Sequence, residues 1–317
     1  MDVYPDLPTI QQARKLLDRY LPITRAVPGN SLSRPGATVH LKLETELPTG
    51  SFKPRGAIYA LATNLACNTL QEVTASSTGN HGAAVALAAK TLGIPATIFL
   101  PAKPNPVKRQ KIADLGARVV EDGVDIAAAF QRAAAYSSHP GIYFLNDATD
   151  PEVPVGTATI GLELAEQIPL LSAVYVPIGD SALIRGIAAA VKQLTPKVRV
   201  IGVQAKRAPS YYLSWKKGSV VTTERCDTCA DGLATRTPDP QNVSAIRELV
   251  DDIVLVGEHE MLDAIKHLYE KEGVLAEPAG ASTTAAWLAQ PSVEGNVALI
   301  ITGANISHEV KERAGIS

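Results

Sequence analysis

Residues 72–100 read EVTASSTGNHGAAVALAAKTLGIPATIFL, and the reading of this stretch decides the fold class. A β-rich run at 73–76 passes through a polar turn into an alanine-rich helical segment at 82–92, then into a second β-rich run at 94–100. Strand, crossover helix and strand in that order make a parallel pair. The alternation continues with a helix at 107–115, a strand at 117–121, a helix at 125–136 and a strand at 142–145. Upstream, Leu7-Pro8-Thr9 opens an amphipathic helix with apolar positions at Ile10, Ala13, Leu16, Leu17 and Tyr20, and residues 39–43 alternate as a strand. The second half repeats the pattern, with strands near 173–177, 198–203, 252–256 and 297–301 and helices at 183–194, 258–271 and 280–290. Two open α/β sheets are expected. Residues 206–240, rich in Ser, Thr, Lys and Pro, form the least regular stretch and read as loops near a site.

The chain has 317 residues, 46% hydrophobic and 20% charged, enough for a large core split into two domains. A net charge of -2 without a basic run leaves no electrostatic footprint for nucleic acid or an anionic membrane, so the expected partner is a small molecule. The first twenty residues carry charge throughout, and no apolar run approaches a membrane span, which leads to the expectation of a cytosolic protein. Three cysteines, Cys67, Cys226 and Cys229, argue against a disulfide framework. The CxxC at 226–229 has no second pair of ligands to complete a zinc site and reads as two free thiols.

In open α/β sheets ligands collect beyond the carboxyl ends of strands, where helix N-termini present unpaired N–H groups to anions. Four segments meet that description or flank it. Thr49-Gly50-Ser51-Phe52-Lys53-Pro54-Arg55-Gly56 places a lysine ahead of an apolar helical run; a desolvated lysine amine can form a Schiff base, although a solvated lysine at a helix start fits the same string. Ser76-Ser77-Thr78-Gly79-Asn80-His81-Gly82 offers hydroxyls, an amide and helix N–H groups to a carboxylate, while a helix cap accounts for either hydroxyl taken singly. Gly179-Asp180-Ser181-Ala182-Leu183 follows a strand and could cradle a phosphate with main-chain N–H groups. Thr302-Gly303-Ala304-Asn305 follows the last strand, where a Gly-Asn turn is the plain alternative.

Taken in order, Leu41–Glu44, Ser51–Gly56, Ser77–Gly82, Glu277-Pro278-Ala279-Gly280-Ala281 and Thr302–Asn305 resemble the fold-type-II pyridoxal-phosphate enzymes, a family that includes threonine dehydratase, serine racemase and the dehydratase-like enzyme of hydroxyectoine breakdown. The resemblance implies two open twisted α/β domains of the tryptophan synthase beta-like kind with the cofactor in the cleft between them. Residues 1–72 and 148–317 would form the larger cofactor-binding domain and 73–147 the smaller one carrying the substrate loop. It implies pyridoxal 5'-phosphate on Lys53, flanked by Phe52, with Asn80 at the ring hydroxyl and Thr302 at the pyridine nitrogen. The phosphate would lie on Gly179, Asp180, Ser181, Ala182 and Leu183. Ser77, Thr78, Gly79, Asn80 and His81 would hold the substrate carboxylate, with Asp231, Gly232 and Glu277 lining the site. Lys53 and Thr78 are the catalytic candidates: Lys53 removes the α-proton with a pKa kept low by burial, and Thr78 offers a hydroxyl on the opposite face.

The implied activity is β-elimination of a β-hydroxy amino acid such as threonine or serine to a 2-oxo acid and ammonia, by a homodimer. Racemisation, action on a larger β-substituted or hydroxyectoine-derived amino acid, and a silent amino-acid-binding role are the alternatives. Two departures stand out. Asp180 interrupts what is usually a run of glycines, and an aspartate there is unfavourable beside a dianion unless its side chain turns away. Gln204 and Ser210 occupy the positions of two acids in cation-activated relatives, so no bound metal is expected.

Overall fold

The computed structural model describes residues 4–77, 79–102, 104, 106–289 and 293–316. Thr78 and the expected helix end at Gln290 lie outside the described residues. Helix α1 (Leu7–Leu17) starts behind Asp6, whose side chain accepts the Thr9 N–H, with proline in the first turn. Strands β1 (Ala26–Pro28) and β2 (Ala37–Leu43) lead to α2 (Lys53–Cys67). Residues 72–100 fold as β3 (Glu72–Ser76), α3 (Asn80–Leu92) and β4 (Ala96–Leu100), followed by α4 (Pro106–Asp114), β5 (Arg118–Glu121), α5 (Ile126–Tyr136) and β6 (Ile142–Phe144). The chain continues through α6 (Glu152–Gln167), β7 (Leu171–Pro177), α7 (Ala182–Leu194), β8 (Arg199–Ala205), α8 (Ser210–Lys217), α9 (Pro240–Leu249) and β9 (Asp252–Val256). It closes with α10 (Glu258–His267), α11 (Pro278–Ala289), β10 (Gly295–Ile301) and α12 (His308–Ala314).

Two sheets result. One has the order β1-β2-β10-β7-β8-β9, the other β5-β4-β3-β6, and every pairing is parallel except β1 with β2. Parallel strands need cover on both faces. One face of the larger sheet packs on α10 and α11 through Met261, Ile265, Ala281 and Trp287, and the other on α7 and α9 through Ile184, Ile187, Val243 and Ile246. The smaller sheet packs on α2 and α3 through Ile58, Leu61, Val85 and Ala89, with α5 behind it at Ala129 and Ala133.

The βαβ alternation is as expected, with local differences. Helix α3 begins at Asn80 rather than 82, because the backbone turns helical directly after Gly79 and takes Asn80 and His81 into the first turn. Helix α8 crosses part of the stretch expected to be irregular, and α6, α9 and α12 are additional to the expected helices. Helix α10 stops at His267, and one wider turn, Leu268–Glu272, ends at Gly273 with φ 66°.

The start of α2 is anchored from behind. Arg55 donates through Nε to Glu44 Oε2 at 2.8 Å and through Nη1 to Glu163 Oε1 at 2.6 Å. Lys42 bonds the same Glu163 carboxylate and the Thr24 carbonyl. All four charged side chains are buried, two cations against two anions. The pairing fixes α2 two residues beyond Lys53.

Candidate active site

Lys53 opens α2 in the gap between the carboxyl ends of the two sheets. The loop before it is stitched to the end of β10: Ser51 bridges Gly303, Phe52 N–H donates to the Thr302 carbonyl at 3.0 Å, and Ala304 N–H donates to the Gly50 carbonyl at 2.9 Å. Gly50 takes φ 69°, and a Cβ there would come within 3.3 Å of the Asn305 side-chain oxygen. The Phe52 ring lies 5.3 Å from the Lys53 ammonium.

Lys53 Nζ is ion-paired with Asp147, on the loop after β6, and His81 Nδ1 stands 3.6 Å from the same carboxylate. His81 Nε2 reaches the Leu145 carbonyl at 2.9 Å, which requires a proton on Nε2 because a carbonyl can only accept. Burial works against the Lys53 charge, but Asp147, with Asp180 and Glu277 behind it, outweighs burial and raises its pKa. The expectation is that burial holds this lysine low; the Asp147 carboxylate paired with it acts in the opposite direction. Asp147, despite burial, is held below the usual carboxylate range by His81 and Lys53.

Across the cleft, Asn80 Nδ2 donates to Glu277 Oε1 at 2.7 Å, and Asn305 Nδ2 donates to Asn80 Oδ1 at 2.6 Å. Lys111 on α4 closes the chain, donating to Asn305 Oδ1 at 2.6 Å and to the Thr49 carbonyl at 2.9 Å. Gly303 is required beneath it, since a Cβ there would stand 2.3 Å from Glu277 Oε1. Thr302 is buried at the strand end. Ser77 turns its hydroxyl inward on its own loop, accepting the Gly79 N–H at 3.2 Å.

The loop after β7 has the shape of an anion cradle. A Cβ on Gly179 would lie 2.1 Å from the Gly232 carbonyl, so the backbones of the two loops meet there. Ser181 takes φ 70° at the N-cap of α7, whose first-turn N–H groups at Ala182 and Leu183 lack intrahelical partners. Asp180 turns onto the loop that follows Asp231-Gly232: Thr235 Oγ1 donates to its Oδ1 at 3.0 Å. Burial, then Asp147, pushes its pKa up against the pull of Lys53. An amine at the cleft, an anion cradle and a buried hydroxyl at the opposite strand end are the parts a phosphorylated pyridine aldehyde needs.

Gln204 accepts the Tyr212 N–H at 3.0 Å and Ser210 donates to the Thr235 carbonyl at 2.6 Å. Cys226 and Cys229 are free and half-buried. Among the described residues no helix is long and apolar enough to cross a membrane.

Sequence reasoning missed Asp147 and Lys111. Asp147 follows β6, so the rule that ligands gather beyond strand ends could have found it. Lys111 lies in a helix where nothing local marks it.

The family of pyridoxal-phosphate-dependent enzymes matches residues 20–303. An L-threonine ammonia-lyase of Thermotoga maritima is 38% identical over 97% of this chain and 77% of its own. A catabolic L-threonine dehydratase of Escherichia coli is 35% identical over 84% of this chain and 83% of its own. Among solved structures, maize serine racemase superposes with a TM-score of 0.92 at 28% identity, covering 98% of this chain and 97% of that one. The two-sheet architecture is the fold-type-II one that the motifs led us to expect. The chain belongs to the pyridoxal-phosphate-dependent enzyme family.

Proposed function

We propose that the protein deaminates a β-hydroxy amino acid, threonine or serine, to a 2-oxo acid and ammonia. One observation carries this reading: Lys53 lies where the carboxyl ends of both sheets meet, with the Asn80–Glu277 bond on one side and the Gly179–Leu183 cradle on the other. The names of the relatives, threonine ammonia-lyase and threonine dehydratase, support the substrate class.

Bound pyridoxal phosphate supplies the electron sink that acidifies the substrate's Cα–H. Lys53 would carry the cofactor, and its amine, once freed, would accept the Cα proton with Asp147 beside it to stabilise the ammonium. The loop 77–81 would hold the substrate carboxylate, and Thr302, a neutral residue, would stand where a carboxylate would keep the cofactor's ring nitrogen protonated. The β-hydroxyl would depart as water with the proton that Lys53 took from Cα, and hydrolysis of the imine that follows would release ammonia, so no oxidant enters the balance.

Racemisation is the second reading, favoured by the superposition on serine racemase. It needs an acid/base on the face opposite Lys53, the role proposed for Thr78. We assign residues 1–72 with 148–317 to the cofactor domain and 73–147 to the substrate-loop domain, and place the protein in the cytosol as a homodimer, which sedimentation would test.

The experiment is a screen of L- and D-threonine, serine, hydroxyaspartate and phenylserine for 2-oxo acid, with deuterium uptake at Cα followed in parallel. Borohydride reduction should fix the cofactor on the Lys53 peptide, and Lys53→Ala should abolish turnover. A reduced adduct on another peptide rejects the assignment.

A further inference from the structure

Arg185 lies in the first turn of α7, and its backbone N–H donates to the Ser181 carbonyl at 3.0 Å. Helical side chains lean toward their own N-terminus, which carries the guanidinium back toward loop 179–181. Its contacts agree. Nη2 reaches the Ala148 carbonyl at 3.5 Å, an oxygen that Asn242 Nδ2 also holds at 2.8 Å. The same Asn242 nitrogen lies 3.4 Å from the Asp180 carbonyl and 3.3 Å from the Tyr211 hydroxyl, to which Ser181 donates. Two residues, Ala148 and Asn242, therefore link the Arg185 guanidinium to the anion cradle.

The guanidinium has little to hold it. Arg185 is 7% exposed, yet its Nε has no hydrogen-bond partner. The acids Asp239 and Asp180 act on it through space without bonding it. A buried guanidinium with an idle donor is costly. It is more so at a helix N-terminus, where the macrodipole is already positive. An anion in the cradle would reverse both penalties, and a guanidinium near the cradle would explain how Asp180 is tolerated in a loop meant for a dianion.

We propose that Arg185 binds the phosphate group held by loop 179–183 and offsets the charge of Asp180, so that this cradle selects phosphate by charge as well as by main-chain N–H groups. The inference rests on the reading that this loop takes the cofactor phosphate.

The test uses the full chain stripped of cofactor and titrated with pyridoxal phosphate and, separately, with pyridoxal, which keeps the aldehyde and lacks the phosphate. Visible absorbance reports the link to Lys53. In Arg185→Met the affinity for pyridoxal phosphate should fall about tenfold or more, as loss of a charge-assisted hydrogen bond implies, while that for pyridoxal changes less than about twofold. Inorganic phosphate should compete with pyridoxal phosphate less well in the variant than in the parent. Arg185→Lys, which keeps the charge and removes Nε, should fall between the two and serves if the methionine variant does not fold. Equal losses for both aldehydes, or none, would overturn the role of Arg185. A parent protein that links neither aldehyde at Lys53 would instead overturn the cofactor reading beneath it.

Discussion

The Lys111 ammonium on α4 donates to the Asn305 side-chain oxygen at 2.6 Å, tying a helix of the smaller sheet to the residues just past the end of β10. Its second bond, to the Thr49 carbonyl, reaches the loop that carries Lys53. Lys111→Met removes the charge and keeps the bulk, leaving Asn305 free to release the Asn80 amide. We expect KM for the amino-acid substrate to rise about tenfold, with kcat changed less than about threefold. Burial lowers the pKa of Lys111, against the pull of Glu277. The tie is therefore present while the amine is charged and is lost as pH rises, earlier than for an ordinary lysine. The alkaline rise in KM should disappear in the methionine variant; a fall in kcat at constant KM would contradict the assignment.

Asp147 controls when the Lys53 amine becomes neutral. Attack on an aldehyde needs the uncharged amine, and the Asp147 ion pair holds the proton on it. Asp147→Asn should shift the pH dependence of cofactor uptake by the stripped protein downward by about one unit or more. Stopped-flow absorbance across pH measures this, and an unshifted profile would show that Asp180 and Glu277 suffice.

The alternation of strands and helices was legible because each element is long enough to show its period, and the motifs at Lys53, Asn80, Glu277 and Thr302 because their residue types are distinctive. Helix α6 was not. Its segment Glu152–Gln167 holds Pro154, Gly156 and Gly161 among β-branched residues, a poor helix former by composition. Those glycines are spent on contact: a Cβ at Gly156 would lie 2.3 Å from the Arg55 carbonyl, and one at Gly161 would lie 2.6 Å from Ala190 Cβ. Buried along most of its length, the helix shows no polar face to read. Lys111 escaped notice for another reason, since its part in the site depends on a long side chain reaching from α4 to the residues past β10.

Glu163 receives both buried cations, Lys42 and Arg55. Glu163→Gln leaves them facing Glu44 alone and should destabilise the fold by about 3–5 kcal/mol, read from the denaturant midpoint. Burial raises the Glu163 pKa, but Arg55 and Lys42 outweigh it and the net shift is downward. Its contribution is full above the unfolded value near 4.5 and drains as pH falls through the lower folded value. Adding Lys42→Met to Glu163→Gln should recover part of the loss; a double variant worse than the sum would mean the four side chains do not act as one network.

Cys229 should resist alkylation. Burial, helped by the Glu258 carboxylate that accepts its thiol proton, pushes its pKa up to about 12. At pH 8 iodoacetamide should label exposed Cys67 and reach Cys229 about a hundredfold more slowly or less, as peptide mass spectrometry would reveal. Glu258→Gln should speed the reaction, and equal labelling of the two cysteines would refute the shift.

Strand β10 sits in the middle of the larger sheet, hydrogen-bonded to β2 on one side and β7 on the other. Until residues 295–301 are added, β1-β2 and β7-β8-β9 have no strand between them to join them. The smaller sheet, whose strands all fall within residues 72–144, has no such wait. The order of residues thus allows the half built on the smaller sheet to close before the lysine loop can dock at Thr302–Ala304. A chain cut short before β10 keeps every residue of the Lys53 motif and the Arg55 anchor behind it, but loses the bonds that residues 50–52 make to Thr302–Ala304.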